Sequence, residues 1–444
     1  MAIPESRFRR WRRRLTRWAI RVALGLAVLL IVREIVVTIL WHRFAAAQDR
    51  VGEELKRRDG RRLPLAGPVE PGNAWDDYVA AAALVEVRPG YYNTDSLDRA
   101  FSPDQKAGDD LKAMAALRDG ESVLRLVERG SRRESCSIPF DRTFYRSNNG
   151  PSYGALHYLG TLGAARTRQQ AARHDIEGAL ASAATGLQFA LDVARGPSQI
   201  HLSYGAGILE SATDAVRVLS SSSQLDGDQI KRLAVIIAAV EERVPSPYRE
   251  LASYERDFWL FRKNVAEEFE FPAGVFRAAA WFPEPRATLP PWWTLWRYGF
   301  SYRLAILSDM RFRSDVWTRL LPTGGQPWKI VGPVLAGARK DVRAMVNPTV
   351  PDWSGPNLYW DQGLRIRLAH LRLLRASLLL RSGGRPGVQD WPEDPFTREP
   401  LRLRELDGVR VIWSEGPDGD QGGVGGWRYR DESDDILLVV EEGS

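Results

Sequence analysis

The chain has very few of the residues from which reactive centres are usually built. Its 444 residues include one cysteine, Cys136, and five histidines. A single cysteine excludes an intramolecular disulfide and any cysteine-based zinc or iron–sulfur site. The histidines form no His-Glu-x-x-His zinc motif, and no Walker-type phosphate loop is present. The sequence therefore predicts no catalytic residues and no certain cofactor.

A second absence concerns positive charge outside the N-terminus. The formal charge is +6, but residues 1–44 alone hold ten arginines and two glutamates. Removing them from the totals of 62 basic and 56 acidic residues leaves a charge of −2 on residues 45–444. Proteins that bind nucleic acid normally carry a basic stripe on a folded face. We therefore expect no nucleic-acid partner.

Long uncharged runs occur at the N-terminal end, where two of them adjoin. Residues 22–32 and 35–41 carry no charge, and only Arg33 and Glu34 separate them. Residues 22–41, with that pair included, make twenty residues, which is about the length that spans a bilayer core. The sequence predicts a basic cytoplasmic segment at 1–21, a transmembrane helix at 22–41, and a juxtamembrane helix with a Pro-rich linker at 42–74.

Two alternatives to a membrane anchor remain open at this point. A cleaved signal peptide would use residues 22–32 as its apolar region and Ala45-Ala46-Ala47 as its cleavage site. A buried or interfacial helix is the other. For an anchor, the arginine cluster at 7–21 favours a cytoplasmic N-terminus. This predicts a single-pass protein of the bacterial inner membrane with most of its chain outside the cytoplasm.

Residues 75–385 show the periodicity of a mainly α-helical body. Apolar or small residues recur at helical spacing from Asp175 to Ala194, and again after Asp226, where Gln229 completes a capping-box pattern. Further helices are predicted at 152–173, 207–220 and 358–381. Residues 171–190 resemble the turn and second helix of a tetratricopeptide repeat. Two helical hairpins are thus expected over 152–244, and stacked hairpins typically offer a groove to protein partners.

Asp76-Asp77 and Glu267-Glu268 are adjacent carboxylate pairs and thus candidates for acid and base groups. Neighbouring residues on a helix point apart, so neither pair forms a catalytic dyad. We expect all four side chains to be solvated surface charges. Catalytic residues assembled from distant positions are the alternative that leaves an enzyme possible.

The last segment, 386–444, changes character to short strands. Residues 401–404, 409–414 and 436–440 favour strands, and Leu406-Asp407-Gly408 is typical of a hairpin turn. The matching residues make this tail similar to the C-terminal region of the major pseudopilin of type II secretion: Asp394-Pro395-Phe396, Ser414, Gly416, Asp418-Gly419, Gly422-Gly423 and Asp435-Ile436. The whole chain resembles uncharacterised membrane-anchored helical proteins of bacteria such as planctomycetes.

A calcium site in the tail is the one metal-site hypothesis. Asp418 and Asp420 stand in a Gly-rich loop, and Asp435 precedes the last strand. Calcium prefers several carboxylate and carbonyl oxygens on such a loop. The pseudopilin resemblance also implies calcium in this region. A solvated acidic turn without an ion is the alternative.

These patterns predict a mainly α protein with an N-terminal transmembrane helix, a body of tetratricopeptide-like helical hairpins and a small C-terminal β-hairpin tail. The predicted function is binding or scaffolding in the cell envelope, with another envelope protein as partner. An envelope enzyme and a secretion-system component are the alternatives.

Overall fold

The computed structural model describes residues 5–56, 62–63, 68–87, 97, 100–101, 107–138, 152–196, 199–222, 224–244, 319–320, 326–344, 358–383, 391–406, 409–417 and 436–439. Of those described residues, 74% are helical, in ten helices, and the same residues form two small sheets. The predicted mainly α class is confirmed. Contacts divide the described residues into two units, with the first helix in one and every other element in the second.

The first helix, α1 (Glu5–Lys56), is a single element of 52 residues. Its stretch Arg14–Ala46 is long and apolar enough to cross a membrane, and only 6% of its most apolar window is buried. Such exposure is incompatible with a buried core helix. The predicted span 22–41 lies within this stretch, and the helix continues without a break through Ala45-Ala46-Ala47.

The second unit consists of consecutive helical pairs. In chain order its first seven helices are α2 (Ala74–Glu86), α3 (Ala107–Asp119), α4 (Glu121–Ser131), α5 (Tyr153–Ala172), α6 (Ile176–Ala194), α7 (Gln199–Ser220) and α8 (Gly227–Glu241). Helix α7 packs against both α5 and α6, while α5 packs against both α2 and α4. Helices α5, α6 and α7 thus each cover the pair before them, as in a stack of hairpins, whereas α8 packs mainly against a later helix.

Local hydrogen bonds explain where these helices begin. Ser152 caps α5 by accepting from the Ala155 N–H, and Asp175 caps α6 by accepting from the Gly178 N–H. Asp226 and Gln229 form the capping box predicted for α8. These side chains satisfy amide groups that the first turn leaves without partners. The sequence placed all three starts correctly, but it began α7 eight residues too late.

Glycines set how closely the paired helices approach. A Cβ on Gly205 of α7 would lie 2.3 Å from the Ala194 backbone nitrogen of α6. A Cβ on Gly160 of α5 would lie 2.6 Å from a methyl carbon of Ile208. Gly163 is different, because nothing lies within 4 Å of its Cβ position. Of these two glycines of α5, only Gly160 therefore permits a close approach of a neighbouring helix.

Two more helices follow, α9 (Trp328–Ala344) and α10 (Leu358–Arg381). One side of α10 carries Leu371, Leu374 and Leu378 into the main core, and α7 and α8 pack against this helix. Its other side packs on the tail through Ile366, Ala369, Leu373 and Ala376. The prediction of a largely buried helix at 358–381 is confirmed for its described side chains.

The tail forms a three-stranded antiparallel sheet in the order β3-β4-β5, and a shorter sheet lies elsewhere in the unit. We number the strands in chain order: β1 (Glu70–Asn73), β2 (Arg133–Ser135), β3 (Arg402–Leu406), β4 (Val409–Ser414) and β5 (Ile436–Val439). Leu406 lies opposite Val409, as the hairpin pattern requires, and Ser414 lies opposite Ile436. The parallel pair β1-β2 was not predicted, because its strands have only four and three residues.

Candidate functional site

The predicted calcium ligands cannot be placed against this fold. Asp418, Asp420 and Asp435 all lie outside the described residues, in the connection from β4 to β5. The described part of the chain holds no group of three or more His, Cys, Asp or Glu side chains arranged to bind a metal ion. The calcium site stays a prediction.

Residues that carry the pseudopilin resemblance do meet in the structure. The Asp394 carboxylate accepts from the Phe396 N–H at 2.8 Å, the Ser414 hydroxyl at 3.0 Å and the Glu415 N–H at 2.7 Å. Phe396 is fully buried under α10, and Gly416 has a positive φ of 66° where the chain leaves β4. The turn at Asp394 therefore fastens the end of β4 to the loop before β3, which is a structural role.

The most buried polar cluster surrounds Asp192 of α6. Its carboxylate is paired with the Arg62 guanidinium, and it accepts from the Tyr78 hydroxyl at 2.7 Å and the Gln188 amide at 2.8 Å. Arg62 also donates to the carbonyls of Gly130 and Ser131. The Gln188 side-chain carbonyl in turn accepts from the Leu63 N–H at 2.8 Å. The cluster holds the segment that follows α1 in the chain against three helices of the body.

The electrostatics of this cluster favour a fixed ion pair. Burial raises the pKa of Asp192, although Arg62, Tyr78 and Gln188 all act to lower it. Burial lowers the pKa of Arg62, but the Asp192 and Tyr78 charges and the hydrogen bond to Asp192 together leave that pKa raised. The raised pKa of Asp192 by itself favours a neutral carboxyl group, whereas the raised pKa of Arg62 requires a charged one. We favour the charged pair, because three donors converge on one carboxylate.

Cys136 lies close enough to this cluster to be affected by its charges. Burial raises the pKa of the Cys136 thiol well above its usual value, and the nearby Asp192 charge raises it further. A protonated thiol is a poor nucleophile. The geometry thus favours the interpretation of Cys136 as a packed side chain over a reactive one.

Asp77 corrects one expectation from the sequence. It was expected to be a solvated charge, but it is 4% exposed and paired with Arg129 and Arg133, the latter at 2.7 Å. Burial raises the pKa of Asp77, yet the hydrogen bonds from both arginines outweigh burial and leave that pKa below its usual value. Asp76 is exposed, so the two carboxylates do point apart. Glu267 and Glu268 lie outside the described residues.

A short motif at 150–154, Gly-Pro-Ser-Tyr-Gly, matches the Gly-x-Ser-x-Gly pattern of serine hydrolases. The nucleophile of those enzymes sits on a strained turn between a strand and a helix. Ser152 instead has ordinary extended angles, φ −62° and ψ 140°, and its hydroxyl oxygen caps α5. The sequence was expected to hold no such elbow; the motif is present, but the structure assigns Ser152 the role of a helix cap.

His201, on α7, is the histidine with the most distinctive surroundings. Its ring packs edge-on against Trp75 at 5.9 Å and Tyr153 at 5.6 Å between centroids. Burial lowers the pKa of His201 from 6.5 to about 4. The imidazole is therefore neutral at physiological pH and acts as part of the core.

A concave surface lined by polar side chains lies between α3, α4 and α5. This groove is lined by three arginines, Arg118, Arg166 and Arg173, by two carboxylates, Glu121 and Asp175, and by two glutamines and three apolar residues. No motif indicated it, because its residues come from three helices and a turn. Comparisons of this chain with protein-family models, curated proteins and solved structures found no match.

Proposed function

We propose that the protein is a membrane-anchored binding or scaffolding protein of the cell envelope, held by α1. The observation that supports this most directly is the exposure of apolar side chains on α1. Of 23 exposed large apolar residues in the described part of the chain, 16 belong to α1. Soluble proteins rarely expose apolar patches of that extent, and a bilayer removes the cost.

The dimensions of α1 fit this role. At 1.5 Å per residue, the 33 residues of Arg14–Ala46 extend about 50 Å, which exceeds the roughly 30 Å of a hydrocarbon core. The helix can therefore span with room for tilt. Trp11 and Trp18, both exposed, stand towards its N-terminal end, where interfacial aromatic residues are favourable.

The N-terminal arginines support a cytoplasmic N-terminus. Seven of the ten arginines in residues 1–44 precede Ala19, and positive charges near a span are retained on the cytoplasmic side. In the proposed orientation the body lies outside the cytoplasm and the anchor crosses the inner membrane once.

Binding is favoured over catalysis by the state of the polar groups in the body. Asp77, Asp192 and Asp394 are each held by several donors, Cys136 is protonated, and His201 is neutral and packed between aromatic rings. A stack of helical pairs presents an extended surface on which a partner can lie. The partner is expected to be another envelope protein.

Membrane association is tested on the full-length chain by washing membranes with alkaline carbonate. The protein should stay in the membrane pellet at its full-length mass. Recovery in the soluble fraction at full length contradicts the anchor. A membrane-independent product that has lost its N-terminus indicates a cleaved signal peptide.

Orientation is tested with reporters fused after Ser444. Alkaline phosphatase should be active there and a cytoplasmic reporter inactive. The reverse pattern would place the body in the cytoplasm while leaving the anchor intact, so the two experiments fail independently.

A further inference from the structure

We propose that the groove between α3, α4 and α5 binds a small organic anion that carries a carboxylate or phosphate group and an apolar portion. The groove has a volume of about 390 Å³, which is within the range of small-molecule sites. The proposal concerns the body alone and does not depend on the membrane anchor.

The charge of the groove favours an anion. Glu121 pairs with Arg166 at 3.7 Å, and Asp175 caps α6 but keeps its charge, so three arginines and two carboxylates give the groove a formal charge of +1. No carboxylate of the described residues pairs with Arg118 or Arg173. Two guanidinium groups are thus left to bind a ligand, and their planar donors match carboxylate and phosphate oxygens.

The frame of the groove is rigid before any ligand arrives. The corner between α3 and α4 is tight, because a Cβ on Gly120 would lie 2.5 Å from Leu162 of α5. Gln170 is fixed by the Ser182 hydroxyl, which donates to its side-chain carbonyl at 2.6 Å. This leaves the Gln170 amide as a further donor. A preformed site loses little ordering entropy on binding.

An apolar portion of the ligand is indicated by the remaining lining. Leu117 and Leu124 are each 5% exposed and belong to the main core, and Met114 is half-buried beside them. A fully hydrated anion gains nothing from such a wall, whereas an alkyl or aryl group gains by leaving water. The groove therefore fits an amphipathic anion better than inorganic phosphate.

The test is calorimetry on the full-length protein in detergent with phenyl phosphate, benzoate, inorganic phosphate and phenol. Phenyl phosphate or benzoate should bind, inorganic phosphate more weakly, and phenol more weakly still. Raising the salt concentration should weaken the binding of the two organic anions, because part of it is electrostatic.

The variant for this test is Arg118→Gln with Arg173→Gln. Both side chains are exposed, so the fold should be unaffected, which circular dichroism and the melting temperature check. Affinity should fall at least about tenfold, equivalent to 1.4 kcal/mol. Arg232→Gln is the matched control, since Arg232 is an exposed arginine paired with Glu177 away from the groove.

Three results would overturn the proposal. One is the absence of binding by both organic anions at millimolar concentration. Another is equal affinity of the double variant and the wild type. The third is equal binding of phenol and phenyl phosphate, which would show that the arginines recognise nothing.

Discussion

The two long apolar helices α1 and α10 lie in opposite surroundings. Leu29 of α1 is 67% exposed, whereas Leu374 of α10 is completely buried between helices. Both helices combine leucine with arginine, so apolar content alone does not separate them. The difference lies in how the arginines are distributed and in what they contact.

The arginines of α10 are interleaved with its leucines and reach neighbouring elements. Arg367 donates to the Ala206 carbonyl at 2.7 Å, Arg372 to the Glu393 carbonyl at 2.7 Å, and Arg375 pairs with the buried Glu241 at 3.3 Å. Such a pattern suits a helix surrounded by protein, because each charge finds a fixed partner. In α1 most arginines lie before residue 22, which leaves two long apolar runs for lipid with only Arg33 and Glu34 between them.

The largest expected effect comes from placing lysine pairs in the two helices. Leu373→Lys with Leu374→Lys should unfold the body, because each change buries an uncompensated charge in a site that is 0% exposed. Val28→Lys with Leu29→Lys should leave the body folded but remove the protein from carbonate-washed membranes, since each lysine costs about 3 kcal/mol at a helix centre.

These outcomes are measured by near-ultraviolet circular dichroism and by membrane fractionation. If the α1 variant also unfolded the body, or if it remained in the membrane, α1 and α10 would be less different than their exposure indicates.

Removing the buried partner of Arg62 should have the next largest effect. Asp192→Ala leaves the guanidinium without its carboxylate and should lower the free energy of unfolding by about 3–5 kcal/mol. Glu177→Gln is the control, because its pair with Arg232 is exposed and should contribute less than about 1 kcal/mol. Urea unfolding in detergent measures both, and similar losses in the two variants would contradict the proposed role of burial.

The pH dependence of the free energy of unfolding should reveal the protonation of His201. The pKa of His201 is about 4 in the folded protein and 6.5 in the unfolded chain. Between these two pH values the unfolded chain therefore binds more protons than the folded protein. The contribution of the neutral His201 to the free energy of unfolding is complete above pH 6.5 and declines as the pH falls towards 4. The loss from this group should be about 2 kcal/mol between pH 7.5 and pH 5.

His201→Gln isolates the effect, because the difference between variant and wild type cancels the contribution of other titrating groups. The variant should lose about 2 kcal/mol less than the wild type over that interval. Parallel curves for the two proteins would mean that His201 does not titrate as its burial indicates.

The smallest effects should come from single methyl groups added at glycines. Gly160→Ala brings a carbon against Ile208 and should destabilise the body by about 1–2 kcal/mol. Gly163→Ala, on the same helix but in open space, should stabilise it by up to about 1 kcal/mol through helix propensity. Gly25→Ala in α1 also meets open space and should not change the unfolding of the body.

Thermal melting of the three variants ranks them directly. A stabilising Gly160→Ala would show that α5 and α7 are less tightly packed than their geometry indicates.

The sequence predicted the elements whose signals are local. Asp226 and Gln229 predict the start of α8, because capping bonds join residues only three apart. The hairpin of β3 and β4 followed from Asp407-Gly408 between two alternating segments. The exposed apolar stretch of α1 was likewise visible as two adjoining uncharged runs.

The site residues were less predictable, because their partners are distant in the chain. Asp77 sits in an ordinary helical pattern, and nothing near it in sequence shows that Arg129 and Arg133 will surround it. Arg118 and Arg173 of the groove belong to α3 and to the end of α5, and each alone is an unremarkable surface charge.

By itself, the sequence determined a mainly helical chain with one apolar N-terminal helix, because hydrophobic periodicity and capping act over a few residues. Only the tertiary structure decided that α10 is buried on two sides and that Arg62 finds Asp192, 130 residues away. It also decided that Asp394 ties two loops together. Burial and ion pairing depend on which surfaces meet, and that choice minimises the free energy of the whole body rather than of any one segment.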